Sequence, residues 1–370
     1  MTQTVNPCGA GNALEAKVWE AYLGRVFGHP VRLLSVQALG KDSAGDKSYG
    51  YGSPLRIECE GSGGRYRLVL QTVKPGPFGH EHVADRVHAT LLAAATYNRL
   101  PRHVRTLGAG LLGPQRHPTP LDPDGEPFLL TEFVEGRPYA EDLERIVREG
   151  RLDAGDLPRA DALSEYLAEI HQTPGPDPAL YLRRLRELLG HGECIMGLTD
   201  SYPAAPGQPL AAVLEDIEHR ALAWRWKLRA KTHRLRQVHG DFHPWNILFR
   251  EATDFCVLDR SRGEWGEPAD DVTCLTSNYL FFSLKRHGRL TGAFEVLFRR
   301  FWEHYLERSG DREILEAAAP FFAFRALVQA SPVWYPTLPD PVRRRLLAFA
   351  RNVLSRSFFE PSDVHALCEE

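Results

Sequence analysis

Apolar residues along this chain change period twice. Over residues 13–28 they recur at helical spacing (Leu14, Val18, Trp19, Tyr22, Leu23, Val26, Phe27) and stop at Gly28-His29-Pro30, where turn chemistry ends a helix. Short strand-like runs follow at 31–39, 55–60, 66–73, 103–112 and 127–133, with a long helical stretch, 81–100, between the third and fourth. From Tyr139 onward the pattern is helical, with one interruption. There, two apolar runs (247–249 and 255–258) flank the polar stretch 250–254 and predict a hairpin. The Pro/Gly-rich stretches 114–127 and 201–209 read as loops. The expectation is an α+β chain: an N-terminal helix over 1–30, a small β-rich lobe over 31–135 and a large, mostly helical lobe over 136–370. No internal repeat interrupts this order.

Composition narrows the function classes. At 370 residues, with 43% hydrophobic and 25% charged residues, the chain is an ordinary two-lobe globular length. A net charge of −3 gives no global signal for nucleic acid or an anionic membrane. The basic stretch 220–236 reads as a solvated helix, so neither is expected as a partner. Six cysteines (8, 59, 194, 256, 274 and 368) include no C-x-x-C pair, and Cys59, Cys256 and Cys274 sit in apolar segments, which predicts buried free thiols. The first residues lack a basic and then apolar leader pattern, and no run of 18 apolar residues occurs; a cytoplasmic protein is expected. Oligomeric state leaves no mark in the sequence.

The chemistry concentrates in His239-Gly-Asp241-Phe-His243-Pro-Trp-Asn246-Ile-Leu, followed by Asp259 thirteen residues after the Asn. Phosphoryl transfer to a hydroxyl needs a carboxylate that orients and deprotonates the acceptor, and oxygen ligands that hold Mg²⁺ against nucleotide phosphates. Asp241 fits the first task, and Asn246 with Asp259 the second; hard oxygen donors suit Mg²⁺ better than zinc. The predicted hairpin would bring Asn246 and Asp259 side by side. His239 reads as a packing and hydrogen-bonding residue of the loop, with proton transfer the alternative. His243 is placed to touch substrate or to brace the loop. Upstream, the glycine-rich stretch 40–54 would let backbone amides approach phosphates, with Gly50 and Gly52 the choices within it. The pair His80 and His82 lacks the i,i+4 spacing of a helical zinc site, and acids at a helix start explain it better.

H-G-D-x-H-P-x-N-I-L, an apolar run ending in Asp259, and Gly266-Glu-Pro-Ala-Asp270-Asp271-Val resemble the aminoglycoside phosphotransferase and choline kinase superfamily, which has the protein-kinase-like bilobal fold. The specific motifs cover about 35 residues, 239–272, and weaker matches extend over most of the chain. There is no D-F-G or A-P-E signature, which favours a small-molecule kinase over a protein kinase. The resemblance implies ATP (or GTP) with Mg²⁺ and a small-molecule hydroxyl acceptor. It implies a hinge at 129–136, with adenine on backbone groups near Glu132–Val134. Asp270 or Asp271 would accept hydrogen bonds from the catalytic-loop backbone. It also requires a lysine on the third strand, paired with an acid on the next helix, where Asp85 has the partner position. Here the chain departs from pattern. Gln71 occupies the expected place and Lys74 lies three residues on, so a Lys74–Asp85 pair needs a twist or bulge before Pro75. That departure motivates the alternative of a pseudokinase, a nucleotide-binding module without turnover.

Two arginines, Arg260 and Arg262, follow Asp259. They read either as a solvated segment or, sharing one face of an extended run, as binders of an anionic acceptor. Residues 137–235 hold 14 Lys/Arg against 16 Asp/Glu, which gives no support to a polycationic acceptor. The aromatics of the last hundred residues read as helix core, with Trp334 and Tyr335 as candidates to line a pocket.

Overall fold

The computed structural model describes residues 16–39, 52, 54–113, 117–119, 125–260 and 262–369, and the chain divides into two compact units at Glu135 and Gly136. The first unit is built on a six-stranded antiparallel sheet of order β1-β2-β3-β6-β4-β5. Its strands are β1 (Val31–Ala38), β2 (Leu55–Gly61), β3 (Gly64–Thr72), β4 (Thr106–Leu112), β5 (Pro118–Thr119) and β6 (Glu126–Glu132). Helix α1 (Ala16–Phe27) lays Trp19 and Leu23 on one face, where they share a core with Ile57, Cys59, Leu68, Leu70, Phe128 and Leu130. The alternation of β3 explains that face: Leu68, Leu70 and Thr72 are buried, while Arg67 before them and Gln71 between them are exposed and Val69 is half-buried.

Helix α2 (Val83–Thr96) is shorter than the run 81–100 suggests. Asp85 in its first turn accepts the backbone N–H of His82 at 2.9 Å and fixes the start. The strand after it begins at Thr106 rather than 103. The Asn98 side chain both accepts from the Thr106 N–H and donates to its carbonyl, at 3.0 Å each, and so ties down the turn before β4.

The second unit is helical: α3 (Tyr139–Glu149), α4 (Asp156–Ile170), α5 (Ala179–Gly190), α6 (Ile195–Asp200), α7 (Pro209–Leu228), α8 (Pro268–His287), α9 (Gly292–Ser309), α10 (Ala318–Ala330), α11 (Asp340–Leu354) and α12 (Val364–Leu367). Helix α8 is buried on every side from Pro268 to Leu284, and α10 is nearly so, which makes them the interior around which the others pack. The aromatics expected as helix core, among them Tyr279, Phe301, Trp302, Tyr305 and Phe322, are buried; so are Trp334 and Tyr335.

Among the described residues, five short strands accompany the helices. The predicted hairpin is β9 (Ile247–Phe249) with β10 (Phe255–Val257), and β7 (Arg137–Pro138) pairs with its first strand. Gly136 lies against that strand so closely that a Cβ would stand 3.0 Å from the Leu248 Cβ. A second small ladder joins β8 (Arg236–Gln237) to β11 (Trp265–Gly266) and leads the chain into the loop at 239 and the head of α8. Among the described residues, Cys59, Cys194, Cys256, Cys274 and Cys368 are buried free thiols, and no helix is long and apolar enough to cross a membrane.

Candidate active site

Three acids at the head of α8 each carry a separate load. Glu267 caps the helix by accepting the Ala269 N–H, and it also takes the buried Arg234 guanidinium at 2.6 Å and the Tyr181 hydroxyl at 2.8 Å. Asp271 accepts the backbone N–H groups of His239 and Gly240, one on each oxygen, both at 2.7 Å. Its neighbour His171 places Nε2 3.2 Å away. Burial works to raise the pKa of Asp271, but the hydrogen bonds from His171 and the His239 amide outweigh it and hold the carboxyl below its ordinary value. Asp271 therefore anchors the loop as a carboxylate. Asp270 faces the other way, toward arginines described below.

The loop itself needs a glycine at its second position. Gly240 has φ +87°, a conformation that costs any side chain about 1–2 kcal/mol. His239, fully buried, has both ring nitrogens committed: Nδ1 accepts the Asp241 N–H at 3.2 Å and Nε2 donates to the Leu258 carbonyl at 2.8 Å. Burial, the largest influence, pushes its pKa down to about 4, so the ring is neutral near pH 7. This geometry makes His239 a brace between the loop at 239–246 and the residue after β10.

Asp241 is half-buried and sits in a ring of donors. Arg325 Nη1 donates to Oδ1 at 2.6 Å, Arg262 Nη1 stands 3.6 Å from the same oxygen, and Cys274 Sγ is 4.0 Å from it. Burial pushes the Cys274 thiol well above its ordinary pKa, so it remains protonated there. On the other oxygen, Oδ2, both His243 Nε2 and Asn246 Nδ2 lie at 3.5 Å. His243 also caps the short turn Pro244–Asn246 by accepting the Trp245 N–H at 3.2 Å through Nδ1.

Asn246 Nδ2 donates to the Asp241 carbonyl at 3.1 Å, which leaves the amide oxygen as the end able to ligate a cation. Asn246 ends the short turn and immediately precedes β9, and its carbonyl accepts the Leu258 N–H at 2.8 Å across the open end of the hairpin. Asp259 follows Leu258, two residues past the end of β10. It has φ +54°, a left-handed conformation that Asp and Asn tolerate better than most side chains. The turn it makes ends the extended run before Arg260 and Arg262, whose side chains go to different places.

That separation corrects the expectation for Arg260. Its side chain is fully buried and donates to the Val238 carbonyl at 2.9 Å and the Glu264 carbonyl at 3.1 Å, so it is neither solvated nor turned toward Asp241. Of these two arginines, Arg262 reaches the loop at 239–246. It touches the Gly240 carbonyl at 3.4 Å and Glu193 at 3.5 Å, stacks on Phe324 and borders a hollow lined also by Arg184, Cys194 and Phe321.

Arg325 is the residue that the sequence reading missed. It comes from α10, 84 positions after Asp241, and its one available signal was compositional: a lone charge within Phe321-Phe-Ala-Phe-Arg325-Ala-Leu, inside a helix with no polar face. Asp270 Oδ1 accepts its Nη2 at 2.7 Å, and Asp270 Oδ2 lies 3.4 Å from Arg184 Nη2.

In the first unit, Gly50 lies outside the described residues. Gly52 runs against β3, where a Cβ would collide with the Thr72 carbonyl. Gln71 is exposed within β3, opposite Leu129, and Lys74 is exposed beyond the strand's end at Thr72. The Asp85 carboxylate carries the His82 amide bond already described. In the stretch 132–134, the Glu132 N–H donates to the Arg105 carbonyl and the Phe133 N–H to the Arg67 carbonyl, each at 2.9 Å. Among the described residues there is no cluster of three His, Cys, Asp or Glu side chains able to hold a metal.

Comparison with known proteins adds the family. No curated protein matches the sequence. Among solved structures, the amicoumacin kinase hAmiN, in complex with AMP-PNP, Ca²⁺ and Ami, superposes with a TM-score of 0.53 at 13% identity, covering 89% of this chain and 91% of that one. A choline kinase from Cryptosporidium parvum Iowa II gives 0.47 at 10% identity, with 91% and 86% covered. The aminoglycoside phosphotransferase APH(3'')-Id from Streptomyces rimosus, in complex with ADP and streptomycin, gives 0.44 at 17% identity, with 81% and 94% covered. At 13% identity the likeness to the amicoumacin kinase speaks for the fold, a bilobal protein-kinase-like arrangement of a β-rich N-terminal region and a mostly helical C-terminal one. The profile of the phosphotransferase enzyme family matches residues 56–308, more than half of the chain and the whole of the loop at 239–259. The chain belongs to the phosphotransferase enzyme family, within the aminoglycoside phosphotransferase and choline kinase superfamily.

Proposed function

We propose that the chain transfers the γ-phosphoryl group of ATP to a hydroxyl of a small molecule, with Asp241 as the catalytic base and Asn246 and Asp259 as the residues that hold Mg²⁺. The observation that carries this reading is the meeting of three functions on one loop and hairpin. Asp241 has one oxygen pinned by Arg325 and the other turned toward His243 and Asn246. Asn246 has its amide nitrogen occupied by the loop, and Asp259 follows Leu258, whose N–H donates to the Asn246 carbonyl. An amide oxygen and a carboxylate are hard donors of the kind Mg²⁺ takes, so the residues present fit that ion. When bound, Mg²⁺ would neutralise developing charge on the phosphates of the nucleotide, which supplies the phosphoryl group.

The protein's own residues do the rest. Asp241 orients the acceptor hydroxyl and receives its proton at Oδ2, late in a loose transition state. His239 and Asp271 keep the loop in place, and His243 lies where it can touch the acceptor. For the nucleotide, Gly52 gives the backbone its close approach, Lys74 with Asp85 serves the phosphates, and the Glu132–Val134 stretch receives the base. With the Glu132 and Phe133 amides already engaged, Val134 is the amide left for adenine or guanine.

Gln71 in the strand position keeps the pseudokinase reading as the rival. One experiment separates them. Purified protein with Mg²⁺ and ATP or GTP is screened for nucleotide consumption against aminoglycosides, amino alcohols, sugars and nucleosides. Turnover that depends on an acceptor supports the kinase, whereas nucleotide binding with no turnover on any acceptor supports the pseudokinase.

A further inference from the structure

We propose that Arg325, on α10, is a positioning residue for phosphoryl transfer: it grips Oδ1 of Asp241 and leaves Oδ2 as the single oxygen that can take the acceptor's proton. The inference rests on the kinase reading above and adds a residue outside the region that the family profile matches, which ends at 308.

The physical case begins with an anomaly. Helix α10 is buried from Ala318 to Leu327, and Arg325 retains only 6% of its surface. A guanidinium in such a place destabilises the fold unless charged and hydrogen-bonded partners surround it. One partner would satisfy a purely structural role, and Asp270 at 2.7 Å is that partner, tying α10 to α8. Arg325 does more. Its Nη2 also lies 3.2 Å from the Gly240 carbonyl, and its Nη1 donates to Asp241 Oδ1 at 2.6 Å. The guanidinium is held flat by Phe324, whose ring centre is 4.6 Å from its central carbon. Asp270 is steadied in turn by Arg184 from α5. The catalytic carboxylate is thus fixed from α5, α8 and α10 at once.

A carboxylate on a loop can rotate about its last bond and offer either oxygen. A short charged hydrogen bond to one oxygen removes that freedom. Around Asp241 the remaining polar groups divide accordingly: Arg262 and Cys274 lie on the Oδ1 side, His243 and Asn246 on the Oδ2 side. A reacting oxygen misplaced by about 1 Å can cost ~10²-fold in rate, so a residue that fixes this rotation acts on turnover rather than on nucleotide binding.

The test uses the full-length protein with Mg-ATP, following phosphate release to water and transfer to any acceptor found in the screen. Thermal melts of Arg325→Ala, Arg325→Gln and Arg325→Lys establish folding. Arg325→Ala is expected to lower kcat by about 30-fold or more, within the range given for misplacement, while the KM for ATP changes by less than about threefold, the mark of an interaction that acts after binding. Free guanidinium should restore part of the rate to Arg325→Ala, and Arg325→Lys should retain part of it. In an Asp241→Asn background, the change at 325 should cost little further, because the group it positions has lost its function. An unchanged kcat in Arg325→Ala would overturn the proposal. So would equal losses in both backgrounds without rescue, which would mean that Arg325 only fastens α10 to α8. If the alanine variant does not fold, the lysine variant carries the same two-background comparison. A wild-type protein without turnover on water or any acceptor overturns the kinase reading and this inference with it, whereas an active enzyme indifferent to Arg325 overturns the inference alone.

Discussion

Asp241 can lose its charge without losing its place. In Asp241→Asn the amide oxygen still accepts from Arg325, whose contact at 2.6 Å now fixes Oδ1, and the scaffold bonds from Asp271 to His239 and Gly240 are untouched. The variant should therefore fold and bind nucleotide nearly as the wild type does, while turnover on the true acceptor falls by at least ~10²-fold, as loss of a general base does. Wild-type turnover in this variant would sink the assignment. His239 yields a separate expectation, concerning stability. Its pKa is held at about 4 in the folded protein, below the ordinary 6.5. The unfolded chain then binds the extra proton between those values, so stability falls as pH drops from about 6.5 toward about 4 and is complete above that window. A shift of this size is worth on the order of 3 kcal/mol. Urea melts at pH 7 and pH 5 should show the loss, and His239→Gln should flatten the difference. The Asp271 carboxyl, depressed from 3.8, loses its contribution only at lower pH, so the two effects occupy different windows.

The β9–β10 hairpin shows which elements a sequence announces. Its strands are short but apolar, its turn is polar, and the two residues it serves stand at its open end, so pattern alone located it. The two-residue strands β7, β8 and β11 left no such mark, because their existence depends on a partner far along the chain. Arg260 departs from expectation for a related reason. An ideal extended run puts Arg260 and Arg262 on one face, but the run ends at the left-handed Asp259 and Arg260 is buried against the Val238 and Glu264 carbonyls, which nothing in residue type alone signals. The same turn shapes the metal prediction. Asp259→Ala removes a formal charge from the proposed Mg²⁺ site and also strains the backbone, whereas Asp259→Asn keeps a side chain that tolerates the conformation and removes the charge alone. Both should weaken Mg²⁺-dependent nucleotide binding more than Asn246→Ala does. Calorimetric Mg²⁺ titration with a non-hydrolysable nucleotide is the measurement, and unchanged Mg²⁺ dependence in all three would contradict the metal role. In β3 the contest is between Gln71, on the exposed face of the strand, and Lys74 beyond its end. If Lys74 serves the phosphates, Lys74→Ala should raise the nucleotide KM and lower kcat together, with Gln71→Ala the milder change. The reverse order would assign the phosphate contact to Gln71.

Over the whole molecule, charge decides what kind of acceptor the second unit can receive. A polycation needs several carboxylates that are not already matched. Among the described residues near Asp241 the acids are matched one after another. Asp241 and Asp270 share Arg325 at 2.6 and 2.7 Å, Glu193 lies 3.5 Å from Arg262, and Glu187 takes Arg183 at 2.6 Å and Arg184 at 3.0 Å. The segment 137–235 is balanced at 14 basic and 16 acidic residues, and the whole chain carries only −3. A tetracationic aminoglycoside would have to displace arginines from these pairs, and breaking the buried one between Arg325 and Asp270 would cost about 3–5 kcal/mol by stranding the remaining charge. A neutral or anionic hydroxyl compound meets no such barrier, and an anionic one gains from Arg262, whose present contacts with Asp241, Glu193 and the Gly240 carbonyl are all 3.4 Å or longer. The expected outcome is that kcat/KM for the preferred neutral or anionic acceptor exceeds that for any polycationic aminoglycoside by at least about tenfold, equivalent to about 1.4 kcal/mol. Arg262→Gln should weaken an anionic acceptor while leaving ATP affinity in place. Efficient phosphorylation of a polycationic aminoglycoside by the wild-type protein would refute this account of the acceptor and leave the role proposed for Asp241 standing.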